Sequence, residues 1–280
     1  MSSLILDGKA LATKIEENLK ERVTKIIEKT GITPILATII VGDDVASVTY
    51  VRMKGNACRR VGIEPLKVEL PESTTTEQLL EEIYKLNRDD RVCGILLQHP
   101  VPKQIDEQKC FNSIDIDKDV DGVNVASFGA VTMGIRGYRS ATPYGIITIL
   151  KEYGIKMEGK HAVVIGRSAI LGKPVAMLLL NENATVTICH SKTVNLPDIV
   201  RTADIVVAAV GRPEFVKADW VKEGAILVDA GYNAGNIGDI DLKNSASKSS
   251  AYTPVPGGVG PMTITMLMSQ TVDSAERKYL

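Results

Sequence analysis

The clearest indication of the fold is the segment HAVVIGRSAILG, residues 161–172. Its first half is a β-branched apolar run that predicts a buried strand, and a helical pattern follows it over residues 173–182. A glycine-containing turn between a strand and a helix suits the phosphates of a dinucleotide, because backbone N–H groups and the helix N-terminus favour negative charge. The spacing is GxSxxxG rather than GxGxxG, so a plain strand-to-helix turn is the alternative.

Strands and helices alternate on both sides of this segment. Apolar runs predict further strands at residues 35–42, 92–98, 185–190, 204–211 and 224–231. Helical spacing predicts helices at residues 8–29, 45–61, 75–89 and 262–278. Another helix is expected to begin with Thr142 as its N-cap and Pro143 at its first position. The alternation predicts parallel βαβ units and therefore the α/β class.

Length and composition limit the class of protein. At about 150 residues per domain, a chain of 280 residues predicts two domains. The 33 Lys and Arg residues balance 34 Asp and Glu residues, which argues against bulk attraction to nucleic acid or to an anionic membrane. No apolar run reaches the length of about 18 residues that a membrane helix needs, and no targeting segment is visible.

Histidine and cysteine usage predicts neither a metal site nor a disulfide framework. The three histidines are far apart and form no HExxH pattern, and the four cysteines include no CxxC pair. This usage favours a reduced, cytoplasmic protein without a metal. If the chain is an enzyme, its proton transfers need not depend on histidine.

The end of the strand at residues 185–190 indicates which dinucleotide binds. An NAD site carries an acidic residue there, which binds the ribose 2′-hydroxyl. This chain instead has Ser191 and Lys192 after the strand, and Arg167 in the glycine turn. Hydroxyl groups and cations suit a 2′-phosphate, so the sequence favours NADP over NAD. The alternative is that these polar residues merely begin a loop.

Two features of the first half could carry chemistry. Tyr50 and Lys54 are four residues apart on a predicted helix and therefore share a face, although an exposed packing pair has the same spacing. Gln98 ends a buried strand, where side chains of a parallel sheet point towards a ligand crevice, although an amide can also cap a turn there.

Two loops add candidates. The segment DIDKDVDG, which ends with Asp121 and Gly122, lacks the glycine and glutamate positions of an EF-hand, so an acidic turn is the plain alternative for Asp121. The segment TPVPGGVGPMT, residues 253–263, could lie flat against a ligand or serve only as a connector.

Taken together, eight ordered segments resemble the bifunctional methylenetetrahydrofolate dehydrogenase/methenyltetrahydrofolate cyclohydrolase family, nearly from end to end. They are SxxYVRMK (47–54), GILLQHPVP (94–102), DKDVDG (117–122), TPYG (142–145), VVIGRSAILGKP (163–174), TVTICHSKT (185–193), VDAGYN (228–233) and TPVPGGVGPMT (253–263).

The resemblance implies two α/β domains with a folate cleft between them, and a homodimer. The N-terminal folate-binding domain is expected over residues 1–140, with a C-terminal helix at about 265–280 packing back on it, and a Rossmann-like domain over 141–264. The implied catalytic residues are Lys54, Gln98, Asp121 and Tyr50. The implied cofactor-binding residues are Gly166, Arg167, Ser168, Gly172, Ser191 and Thr263. The implied folate-binding residues are Tyr50, Lys54, Gln98, Pro100, Val101, Asp121, Pro256, Gly257 and Gly258.

The implied reaction oxidises 5,10-methylenetetrahydrofolate with NADP and then hydrolyses the methenyl product to 10-formyltetrahydrofolate. Lys54 is implied as the group that transfers protons, with Gln98 supporting it and Asp121 holding the pterin. Departures from the family pattern include His99, where leucine is usual, and Tyr232, where a small aliphatic residue is usual. The alternatives are another two-domain NAD(P)-dependent dehydrogenase and a nucleotide-binding protein that has lost catalysis.

Overall fold

The structure, a computed structural model, describes residues 3–280. Within that range the chain folds into two compact units. One, the six-stranded unit, comprises the described residues up to Thr13 together with Ser140–Thr263. The other, the three-stranded unit, comprises Lys14–Arg139 and Ile264–Leu280. Both units combine helices with a parallel sheet, which confirms the predicted α/β class.

The described residues form nine strands and ten α-helices. The strands are β1 (Leu4–Ile5), β2 (Ile35–Val41), β3 (Glu64–Leu70), β4 (Val92–Leu97), β5 (His161–Ile165), β6 (Thr185–Cys189), β7 (Ile205–Ala208), β8 (Ile226–Asp229) and β9 (Ala251–Tyr252). The helices are α1 (Gly8–Thr30), α2 (Val45–Val61), α3 (Thr76–Arg88), α4 (Glu107–Ser113), α5 (Val125–Thr132), α6 (Ala141–Glu152), α7 (Gly172–Asn181), α8 (Leu196–Val200), α9 (Leu242–Ser245) and α10 (Val259–Tyr279).

The three-stranded unit is built around strand β2. Its sheet has the order β3-β2-β4, and both pairings are parallel. Every residue of β2 is buried, as expected of a central strand covered on both faces. One apolar cluster joins β2 and β4 to buried side chains of α3 and α4, among them Leu79, Ile83 and Phe111. This core fixes the carboxyl ends of β2 and β4 beside each other.

The six-stranded unit has the doubly wound pattern of a dinucleotide-binding domain. Its strands are all parallel, in the order β1-β9-β8-β7-β5-β6. Strand β5 lies between β6 and β7, so the chain reverses direction across the sheet at this strand. Such a switch point leaves a crevice at the carboxyl ends of the strands, where ligands bind.

Two expectations about this unit are wrong in detail. The segment before Thr13 was expected within an N-terminal domain of residues 1–140, but Leu4 and Ile5 of β1 pair with β9 of the six-stranded sheet. The first two residues of that expected domain lie outside the described residues. Helix α6 begins at Ala141, so Thr142 is not its N-cap but lies inside its first turn. The hydroxyl of Thr142 instead pairs with that of Thr263, at 2.9 Å.

Candidate active site

Helix α2 holds Tyr50 and Lys54 on one face. The helix begins after Asp44, whose carboxylate accepts a hydrogen bond of 2.8 Å from the Ser47 N–H. It ends at Gly62, which has a φ of 87° and closes the helix in the left-handed conformation that glycine favours. Tyr50 is 41% exposed, and Lys54 is half-buried. The four-residue spacing on this helix therefore puts the two side chains on one face, as predicted.

Gln98 links the end of strand β4 to Lys54. Its N–H donates to the Ile39 carbonyl at 2.8 Å, which continues the parallel ladder one residue past the strand. The side-chain Nε2 donates to the His99 carbonyl at 2.7 Å, so Oε1 is left to accept from Lys54 Nζ at 3.0 Å. Only 8% of Gln98 is exposed, so this amide has one defined orientation. The structure thus brings Lys54 and Gln98 together.

Asp121 lies in a loop that is tied to β4. The Lys118 carbonyl accepts a hydrogen bond of 2.8 Å from the Ile95 N–H, within β4. Gln270 Nε2 donates to the Val120 carbonyl at 2.7 Å. Gly94 makes the approach possible, because a Cβ at that position would lie 2.5 Å from a methyl carbon of Val120. The loop cannot move away from β4 without breaking these contacts.

Lys118 is buried and was missed as a candidate from the sequence. Its Nζ donates to the carbonyls of Leu86, Asn87 and Asp89, at 2.9, 2.8 and 2.8 Å. These carbonyls end helix α3, where a cation is favoured by the helix dipole. Burial lowers the pKa of Lys118. The ammonium thus fastens the loop that carries Asp121 to the end of a neighbouring helix.

Asp119 was also missed, although it lies in the segment that gave Asp121. It is fully buried, and its two carboxylate oxygens accept hydrogen bonds from the N–H groups of Val123 and Asn124, at 3.1 and 3.0 Å. Burial raises the pKa of Asp119 to about 7. The signal available in the sequence was the alternation of acidic residues around Lys118, of which Asp119 supports the loop from the interior.

The electrostatics favour an amine that can lose its proton. Burial lowers the pKa of Lys54, while the negative charge of Asp121 acts in the opposite direction. Burial raises the pKa of Asp121, and the positive charges of Lys54 and His99 oppose that rise. Lys54 and Asp121 are therefore electrostatically coupled within the three-stranded unit, and Gln98 is joined to Lys54 by its hydrogen bond. A lysine with a lowered pKa is suited to act as a base.

The glycine turn of the six-stranded unit is shaped by close backbone contacts. Gly166 follows β5 with a φ of 124°, and a Cβ there would collide with the Ala209 carbonyl. Ser168 Oγ accepts a hydrogen bond of 3.2 Å from the Gly172 N–H at the start of α7. Arg167 and Ser168 are exposed at the top of this turn. The turn therefore presents backbone and side-chain donors at a helix N-terminus.

A second turn follows the neighbouring strand. Strands β5 and β6 pair in parallel up to Ile165 and Cys189, and the Gly166 N–H donates to the Cys189 carbonyl at 2.9 Å. The turn after β6 is closed by the His190 N–H, which donates to Thr193 Oγ1 at 2.8 Å. Ser191 is exposed in this turn. The two turns thus begin at the same edge of the sheet, as expected for the two sides of a ribose-phosphate site.

The proline- and glycine-rich loop packs on the start of α1. The Gly257 carbonyl accepts from the Lys9 N–H, and the Gly258 N–H donates to the Pro254 carbonyl, both at 2.8 Å. Gly258 is buried, whereas Pro256 is exposed. Pro100 and Val101 lie in the other unit, directly after Gln98. The backbone of each loop is held by its own unit.

Residues 3–280 contain no group of three or more His, Cys, Asp or Glu side chains that could hold a metal ion. The four cysteines are all buried and free. None of the helices in that range combines the length and apolarity needed to cross a membrane.

Both halves of the chain match models of one known family. Residues 6–121 match the family description "Tetrahydrofolate dehydrogenase/cyclohydrolase, catalytic domain", and residues 140–279 match its "NAD(P)-binding domain". The chain is 62% identical over 278 residues to "Bifunctional protein FolD" of Cellvibrio japonicus, with 99% of each chain covered.

Solved structures show the same relationship. The FolD methylenetetrahydrofolate dehydrogenase/cyclohydrolase of Campylobacter jejuni is 47% identical, with 99% of each chain covered and a TM-score of 0.97. A dehydrogenase-cyclohydrolase of Trypanosoma brucei, solved with NADP and an inhibitor, is 35% identical, covers 99% of this chain and 98% of its own, and has a TM-score of 0.95. The chain therefore belongs to the tetrahydrofolate dehydrogenase/cyclohydrolase family.

Proposed function

We propose that this protein oxidises 5,10-methylenetetrahydrofolate to the methenyl form with NADP and then hydrolyses that product to 10-formyltetrahydrofolate. Family membership supports both activities. The observation that supports the cyclohydrolase activity is the half-buried Lys54 amine, which lies 3.0 Å from Gln98 Oε1. The charge of Asp121 also acts on the pKa of this amine.

The glycine turn fits a dinucleotide. Its glycines allow the backbone to come close to a ligand, and Gly172 begins α7, so phosphate oxygens would meet N–H groups at a helix N-terminus. Arg167 and Ser191 would hold the 2′-phosphate of NADP, since no carboxylate stands in the turn after β6 to bind a free 2′-hydroxyl. Thr263 and Ser168 complete the proposed set. When bound, NADP supplies the hydride acceptor.

The oxidation step requires positioning more than proton transfer. The ring nitrogens of the folate stabilise the cation that forms when the methylene carbon loses hydride, so no strong base is needed. Tyr50 provides an exposed ring for stacking against the folate. Asp121 accepts hydrogen bonds from the pterin amino group and ring N–H. We assign Pro100 and Val101, in the turn that follows Gln98, as further folate contacts.

The hydrolysis step requires a base and then an acid. The neutral Lys54 amine takes a proton as water attacks the methenyl carbon, which leaves a hydroxyl on that carbon. The resulting ammonium then gives a proton to N5 as the bond from that carbon to N5 breaks, while the hydroxyl loses its proton to solvent and becomes the formyl carbonyl. Because burial lowers the pKa of Lys54, a larger fraction of its side chain is the neutral amine at a given pH. Gln98 orients the amine through the hydrogen bond that its Oε1 accepts from Lys54 Nζ. We assign Pro256, Gly257 and Gly258 as further folate contacts.

Assembly and location complete the proposal. We expect a homodimer formed through the six-stranded units, because β6 ends that sheet and the nearby Leu180 and Val194 are 51% and 76% exposed. Light scattering should give twice the mass of one chain; the mass of a single chain would contradict the dimer. Four free cysteines are in keeping with a reduced, cytoplasmic location.

An absorbance assay tests the function directly. Purified protein is mixed with methylenetetrahydrofolate and NADP, and the formation and decay of the methenyl compound are followed together with the formation of NADPH. The proposal predicts NADPH formation with transient methenyl accumulation. If NADPH forms but the methenyl compound decays no faster than the uncatalysed rate, the proposed cyclohydrolase activity is contradicted. If NADP is not reduced, the proposed dehydrogenase activity is contradicted.

A further inference from the structure

The turn that follows Gln98 is closed from outside by Glu107. A single carboxylate oxygen of Glu107 lies 2.9 Å from His99 Nδ1 and 3.3 Å from the Val101 nitrogen, whose N–H donates to it. The carboxylate thus bridges the residues on either side of Pro100. The imidazole ring of His99 therefore has a hydrogen-bonding partner in this carboxylate.

Glu107 is itself held in a fixed place. It is the first residue of α4, and the preceding Asp106 caps the helix by accepting from the Lys109 N–H at 3.0 Å. The Asp106 N–H donates to Thr76 Oγ1 at 2.9 Å, which ties this end of α4 to α3. The buried side chains of Cys110 and Phe111 anchor the helix in the core. The carboxylate therefore acts on the turn from a rigid support.

The turn formed by residues 99–101 sets the orientation of the Gln98 side-chain amide. Gln98 Nε2 donates to the His99 carbonyl at 2.7 Å, and this bond determines which end of the amide faces Lys54. If the His99 carbonyl rotated, Nε2 would lose its acceptor, and Oε1 would no longer be held towards the Lys54 amine. The orientation of the base thus depends on the conformation of residues 99–101.

We propose that Glu107 is a positioning residue for the cyclohydrolase reaction, which it serves by fixing the His99–Val101 turn and thereby the Gln98–Lys54 hydrogen bond. The inference rests on the proposed function. The side chains of His99 and Glu107 are 47% and 32% exposed, and a contact between two side chains this exposed adds only about 0–1 kcal/mol to stability. Removal of the carboxylate should therefore disturb the site without unfolding the protein.

The two activities provide the test. In Glu107→Ala, the cyclohydrolase kcat, measured by hydrolysis of supplied methenyltetrahydrofolate, should fall about tenfold, because small misplacement of a reacting group is costly. The dehydrogenase kcat should change less than about twofold, since hydride transfer does not use the amine. Glu107→Gln retains an oxygen that can accept both hydrogen bonds and should recover most of the lost rate. Gln108→Ala, an exposed change on the same helix, is the matched control and should leave both rates unchanged.

Combining Glu107→Ala with Gln98→Ala shows whether the loss of cyclohydrolase activity in Glu107→Ala depends on Gln98. In Gln98→Ala, adding Glu107→Ala should give no further loss of cyclohydrolase activity, because the intermediate group is already absent. Equal loss of both activities in Glu107→Ala, or a full additional loss in the Gln98→Ala background, would overturn the inference. If the unchanged protein lacked cyclohydrolase activity, the proposed function would fail instead, so the two failures are distinguishable.

Discussion

Lys54 Nζ donates to Gln98 Oε1 at 3.0 Å, although the two residues are 44 positions apart in the chain. Lys54 comes from helix α2, where it is half-buried, and Gln98 from the first position beyond β4. The amide accepts without adding a negative charge, so it orients the amine and leaves its lowered pKa largely to burial. The negative charge of Asp121 acts against this lowering.

This relationship predicts a change in pH dependence. In Asp121→Asn, the negative charge that raises the pKa of Lys54 is lost, so that pKa should fall further. Because the reacting form is the neutral amine, cyclohydrolase kcat should rise with pH, and the rising limb should move to lower pH in the variant. The measurement is kcat for methenyltetrahydrofolate hydrolysis at saturating substrate across the pH range in which the protein stays folded.

The same variant should also bind folate more weakly, because a charge-assisted pair with the pterin is replaced by a neutral one. Asp117→Asn is the matched control, since Asp117 is an exposed acid of the same loop. If the rising limb of the kcat–pH profile stays in place in Asp121→Asn, or moves equally in Asp117→Asn, the electrostatic coupling between Asp121 and Lys54 is contradicted.

The 2′-phosphate assignment predicts a selective loss of NADP affinity. In Arg167→Ala and in Ser191→Ala, the KM for NADP should rise about tenfold, because each change removes one hydrogen bond to a charged group. The KM for NAD should change little, as NAD lacks the phosphate. Initial rates of methylenetetrahydrofolate oxidation with each dinucleotide check this. Parallel changes with both dinucleotides would show that these residues do not contact the 2′-phosphate.

Lys118 predicts a structural effect. Lys118→Met keeps the length of the side chain but leaves three carbonyls without their ammonium donor. The free energy of unfolding, measured with urea, should fall by about 3 kcal/mol, as expected when a buried charged donor is removed. Lys85→Met, on the exposed surface of α3, is the control and should cost less than about 1 kcal/mol. Equal effects of the two changes would show that Lys118 does not fasten the loop.

Local rules predicted much of this fold. The bounds of α2 agree with the predicted residues 45–61, and Thr75 caps α3 in a reciprocal capping box with Gln78. In these elements the apolar period and the end residues indicate the same structure. The start of α6 was placed too late, because Thr142 is a good cap by composition but its hydroxyl pairs with Thr263, 121 residues away.

Long-range pairing could not be predicted from local pattern. The two residues of β1 join the six-stranded sheet through β9, which lies near the other end of the chain. The site was only partly foreseen for a similar reason. Tyr50, Lys54, Gln98 and Asp121 were identified through family resemblance, while the supporting contacts of Lys118, Asp119 and Glu107 depend on how distant segments pack.

The role of Lys54 is tested most directly by measuring hydrolysis and folate binding in Lys54→Met. The methionine keeps the apolar part of the side chain and removes the amine. We predict that hydrolysis of supplied methenyltetrahydrofolate falls to the uncatalysed rate, while folate still binds in an equilibrium titration. Full hydrolysis by this variant would contradict the assignment of Lys54 as the group that transfers protons.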